Sequence, residues 1–91
     1  MAKKKNHYYV LVLTNEGPTF VTGVRPNKYA EFNKLEAPKE FDKYYAEDMA
    51  LGLNLNLITA FPVCMPFELD SQPYLYNKGH FEWKYNSEEE K

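Results

Sequence analysis

The run from His7 to Thr14, HYYVLVLT, constrains the fold more than any other segment of the chain. It is rich in β-branched, aromatic and leucine residues, and no helix cap precedes it. Strand alternation sends Tyr8, Val10 and Val12 to one side and Tyr9, Leu11 and Leu13 to the other. Both sides are apolar, so this strand belongs in the middle of a sheet. The chain has 91 residues, which is enough for one domain.

The segments that follow can be read around that strand. Asn15-Glu16-Gly17-Pro18 has the composition of a turn. Thr19 to Arg25 then reads as an antiparallel partner strand, with Gly23 marking a bulge or bend. Pro26-Asn27 forms the next turn, and Lys28 to Lys34 alternates as a third strand. Leu35 to Phe41, which contains Pro38, is an irregular connection. Asp42 can cap a helix over Lys43 to about Leu53. Ala46, Met49, Ala50 and Leu53 share one face of that helix, with Tyr45 beside them, whereas Tyr44 and Leu51 fall off it. Glu47 and Asp48 lie toward the helix start, where the macrodipole favours negative charge, and read as a solvated surface. Asn54 and Asn56 suit the left-handed conformation that often closes a helix.

Leu57 to Met65 reads as a strand that Pro62 either breaks or confines to an edge. Pro66 to Lys78 reads as a long loop. Gly79 to Asn86 alternates cleanly, with Phe81, Trp83 and Tyr85 on one face and His80, Glu82 and Lys84 on the other. The order β-β-β-α-β-β predicts an α+β domain, an antiparallel or mixed sheet with one helix packed on one face. One short helix cannot cover both faces of such a sheet. Part of one face is therefore expected to be exposed or covered by another chain. The domain is expected to span residues 7–86, between a disordered basic tail at 1–6 and a disordered acidic tail at 87–91.

The residues needed for catalysis do not assemble in the sequence. Cys64 is the single cysteine, and its apolar surroundings suggest a small buried hydrophobe. With one cysteine there is no internal disulfide, which fits a reducing cytoplasm. His7 and His80 start two different strands and do not form a metal set. Ser71 and Ser87 lack a nucleophile context, and the four glycines are too scattered to cradle a phosphate. The chain is thus read as non-catalytic, with no cofactor and no metal. Its apolar runs are too short to span a membrane, and no leader peptide is read at Met1-Ala2-Lys3-Lys4-Lys5.

Eight Tyr, six Phe and one Trp are a heavy aromatic load for this length. Aromatics in excess of what the core can bury favour protein interfaces. Tyr74, Tyr76, Trp83 and Tyr85 are the candidate contact residues. Glu68 and Asp70 lie close by and would add charge complementarity toward a basic partner. The alternative is that Tyr74 and Tyr76 fold back as a lid on the core. Single-stranded nucleic acid needs aromatic platforms in a positive groove. Residues 7–86 carry seven basic and ten acidic residues, which disfavours it. A structural homo-oligomer, such as a homodimer formed through the uncovered sheet face, is the other alternative.

The stretches YYVLVLTNEGPTFVTGV, AEFN and YAEDMALGLNLN, within residues 7–65, resemble small cytoplasmic proteins of phages and mobile elements in Gram-positive bacteria. The resemblance carries no catalytic motif and transfers no functional residue. It implies a protein that binds a host protein, as an inhibitor or an adaptor. From Pro66 onward there is no counterpart.

Overall fold

The computed structural model describes residues 6–26, 30–77 and 80–83, with Leu75 onward described by backbone pairing alone. Residues 1–5 of the predicted basic tail, the predicted acidic tail, Asn27 of the predicted turn and Tyr85 lie outside the described residues. The elements are β1 (His7–Thr14), β2 (Gly17–Phe20), β3 (Gly23–Val24), β4 (Ala30–Glu31), α1 (Lys43–Leu55), β5 (Ala60–Met65), β6 (Tyr74–Asn77) and β7 (His80–Trp83). The protein is α+β, with antiparallel strand pairing throughout these elements and α1 packed on the main sheet. That sheet has the order β2-β1-β5, so the doubly apolar strand is central as its sequence demands. β3-β4 and β6-β7 form separate two-stranded ribbons rather than further strands of the same sheet.

Two backbone bonds fix the phase of the main sheet. Leu13 N–H donates to the Thr59 carbonyl at 3.0 Å, and Val21 N–H donates to the Val10 carbonyl at 2.9 Å. Odd-numbered residues of β1 therefore bond to β5, and even-numbered residues bond on the opposite side, Val10, Val12 and Thr14 toward β2 and its continuation at Val21, and Tyr8 to Phe41. The same phase turns the backbone polar groups of Ala60, Pro62 and Cys64 out to the free edge of β5. On β2 it turns out those of Pro18 and Phe20. Each proline thus occupies a position where its missing N–H costs no ladder bond. β5 runs unbroken through Pro62 as an edge strand.

The edge groups of Phe20 and Ala60 are met by side-chain carboxamides. Phe20 N–H donates to Gln72 Oε1 at 2.9 Å, and Gln72 Nε2 donates back to the Phe20 carbonyl at 3.2 Å. Gln72 Nε2 also donates to the Glu36 carbonyl at 3.0 Å, and the residue is buried. At the opposite edge, Ala60 N–H donates to Asn54 Oδ1 at 3.1 Å and Asn54 Nδ2 donates to the Ala60 carbonyl at 2.9 Å. Each amide presents one donor and one acceptor, as a neighbouring strand would. The main sheet therefore stops at three strands, with a carboxamide and a proline on each outer edge.

The two faces of the sheet have different cores. On one, Val10, Val12 and Ala60 pack with Val21, Phe41 and the α1 residues Ala46 and Ala50. On the other, Tyr9, Phe20 and Leu69 form a second buried group, with Leu11, Val63, Met65 and Tyr74 against it. The segment after β5 covers this second face, and polar contacts as well as apolar ones hold it there. Leu69 N–H donates to the Tyr9 hydroxyl at 2.8 Å, Gln72 grips Phe20, and the Tyr74 ring stacks on Phe20 at 6.2 Å. The cover is incomplete, and Leu13 and Phe61 remain exposed at the far end of the face.

Several expectations need correction. Thr19–Arg25 is not one strand, because the chain leaves β1 after Val21 and pairs Gly23-Val24 with Ala30-Glu31. Of the predicted third strand, only Ala30–Glu31 is observed among the described residues. Pro66–Lys78 is not all loop, since Tyr74–Asn77 pairs with His80–Trp83. Cys64 is exposed rather than buried. It shares the helix side of β5 with buried Ala60 and exposed Pro62, and the cover from α1 fades toward that end.

Replacing Gln72 with Ala strands a buried N–H and two carbonyls. Urea unfolding should show a loss of about 1–3 kcal/mol. Asn54→Ala, at a partly exposed site, should cost about 1 kcal/mol. An unchanged midpoint for Gln72→Ala would rule out the carboxamide as an edge partner.

Candidate protein-binding surface

The helix builds the most exposed apolar surface among the described residues. Asp42 starts α1 as expected, its Oδ1 accepting from Tyr45 N–H at 3.1 Å. Glu47 and Asp48 lie in the second turn, where the macrodipole is already weak, so Asp42 supplies the negative charge at the helix start. Ala46 and Ala50 face the sheet, with Met49 and Leu53 beside them. The opposite face carries Tyr44, Asp48, Leu51 and Leu55, spaced four, three and four residues apart. Tyr44 is 76% exposed, Leu51 57% and Leu55 75%. A shallow surface depression joins Tyr44, Tyr45 and Leu51 to Asp42, Glu47 and Asp48. Lys43 Nζ lies 5.8 Å from the Tyr44 ring centroid, and Tyr45 stacks on Phe41 at 5.2 Å.

The helix ends in a left-handed turn, but neither Asn54 nor Asn56 adopts it. Ile58 N–H donates to the Leu53 carbonyl at 2.9 Å, and Leu57 N–H donates to the Asn54 carbonyl at 3.0 Å. This is the paired-bond closure in which the residue after the cap turns left-handed, a position usually given to Gly. Here that residue is Leu57, with φ 66° and 95% exposure. Ile58 and Leu53 both pack, partly buried, against the core. Asn54 is occupied with Ala60, and Asn56 is the cap residue itself, at φ −101°. A leucine kept in a strained conformation, with almost no burial in return, marks a place where local stability is not what the residue serves.

The residues singled out in the sequence fall in the segment after β5. Glu68 and Asp70 are exposed on the connection that covers the second face. Tyr74 is half-buried against Phe20, and burial raises its phenol above the ordinary value of 10.0. The ribbon register pairs Tyr74 with Trp83 and Tyr76 with Phe81, bringing those backbone positions together. Tyr85 lies outside the described residues. Sequence reasoning missed Leu55 and Leu57, because it ended the helix near Leu53. The four-three-four spacing from Tyr44 was the available signal.

Elsewhere some of the charged groups approach an opposite partner. An open groove beside the β1–β2 turn holds Glu16 against Lys34 at 2.9 Å and Arg25 against Glu31. His7 Nδ1 lies 3.1 Å from Glu40. Among the described residues, no three His, Cys, Asp or Glu side chains converge on a metal position. No described helix is long and apolar enough to cross a membrane. No family model, curated protein or solved structure matches the chain.

Leu57→Gly should raise stability by about 1 kcal/mol, the relief of left-handed strain less the extra freedom of the unfolded glycine. The readout is a higher urea midpoint at unchanged slope. The raised phenol of Tyr74 means the fold favours its neutral form. That contribution is intact below pH 10.0 and is lost as pH rises through the folded value, because the unfolded chain releases its proton first. A pH series of urea melts should therefore show a shallower alkaline decline for Tyr74→Phe than for the wild type.

Proposed function

We propose that this is a small non-catalytic protein-interaction module whose principal contact surface is the outward face of α1. The observation that carries the reading is the exposed row Tyr44, Leu51 and Leu55, followed by Leu57. A free row of large apolar side chains on a domain this small is a common sign of an interaction site. The resemblance to cytoplasmic phage and mobile-element proteins supports a host protein as the partner, bound as an inhibitor or adaptor. The connection bearing Glu68 and Asp70 and the Tyr74–Trp83 ribbon form a second candidate contact region. The acidic balance of residues 7–86 argues against single-stranded nucleic acid as the ligand. A second reading, self-association into a homo-oligomer, is favoured by exposed Leu13 and Phe61 on the opposite sheet face.

The test is affinity capture from host lysate with tagged wild type and a Leu51→Ser/Leu55→Ser variant, with and without nuclease. The expected result is a stoichiometric protein that survives nuclease and is lost from the variant. Recovery of nucleic acid alone, or equal capture by both proteins, would overturn the reading.

A further inference from the structure

We infer that the outward face of α1 receives a cationic amphipathic helix from its partner, with a Lys or Arg of that helix against Asp48. The inference rests on the protein-binding reading above and narrows it to one class of partner. The spacing Tyr44, Asp48, Leu51, Leu55 is that of the seam between two packed helices, in which apolar side chains interlock every three and four residues. Both edges of the main sheet carry a proline and a carboxamide where an added strand would bond. The seam spacing on α1 therefore fits a helix rather than an extended segment.

Charge selects the kind of helix. Asp48 stands within the seam, and Asp42 and Glu47 border the same depression. Lys43, the one cation between residues 42 and 48, leans over Tyr44. Covering this surface with a second copy would press two acidic strips together and desolvate like charges, which opposes self-pairing here. A helix with Lys or Arg opposite Asp48, and apolar residues opposite Tyr44, Leu51 and Leu55, satisfies the carboxylates and buries the apolar row at once.

The probes are two amphipathic helical peptides with the same leucine face, one filled out with lysine and the other with glutamate. Each is titrated into isotope-labelled full-length protein and followed by amide chemical shifts. The Leu/Lys peptide should bind saturably, with its shifts concentrated over residues 43–57, and the Leu/Glu peptide should not bind. Asp48→Lys should weaken the Leu/Lys peptide about tenfold or more and admit the Leu/Glu peptide. Leu51→Ser should weaken both pairings. The spectrum of each free variant checks that the fold is kept. Shifts centred elsewhere, or equal binding of both peptides to wild type, would overturn the inference, as would a wild-type dimer formed through this face. If the partner captured from lysate is lost from Leu51→Ser yet kept by Asp48→Lys, the cationic class fails while the protein-binding reading stands.

Discussion

The fold depends on how β1 is bonded on both sides while the sheet is stopped one strand further out in each direction. A strand that is apolar on both faces must be central, and a central strand makes its neighbours into edges. An unprotected edge invites another chain to pair with it. In this protein each outer strand places a proline at one outward position and meets a carboxamide at the next, Pro18 with Gln72 and Pro62 with Asn54. The two amides come from different places. Asn54 lies in the helix that covers one face, and Gln72 in the segment that covers the other. Closing the edges and covering the faces are therefore one structural solution. The side chains that stop the sheet also anchor the layers above and below it.

That solution determines what is left for recognition. The outer edges of the main sheet are capped at Phe20 and Ala60, which favours recognition through side-chain surfaces there. The helix spends small residues, Ala46 and Ala50, on its inner face, which lets it sit close to the sheet. Tyr44, Leu51 and Leu55 are turned outward, and at Leu57 the chain accepts left-handed strain at a nearly fully exposed leucine. Surface residues chosen for stability alone would not follow this pattern, whereas residues chosen for contact would.

The parts of the fold that local chemistry decides were legible in the sequence. HYYVLVLT declared a central strand, Asp42 declared a helix start, and Pro62 pointed to an edge. Tyr44 and Leu51 could be seen to fall off the core face. What was hidden depended on distant partners. The pairing of Gln72 with Phe20 spans 52 residues, and no local pattern announces it. Asn54 looked like a residue for ending a helix because its use as an edge partner appears only once β5 is in place. The strand at Tyr74–Asn77 was masked by the prolines and acidic residues before it. Leu57 took the left-handed position against its own preference, so propensity pointed to the asparagines instead.

Native-state hydrogen exchange tests this account most directly. In it, the outward amides of Phe20 and Ala60 are bonded to Gln72 and Asn54, whereas the outward amide of Cys64, at the open end of β5, faces solvent. Exchange should be slow at Phe20 and Ala60, approaching that of the inner amides Val21 and Leu13, and fast at Cys64. Fast exchange at Phe20 and Ala60 would mean that the edges are open, and would contradict the claim that side-chain amides end this sheet.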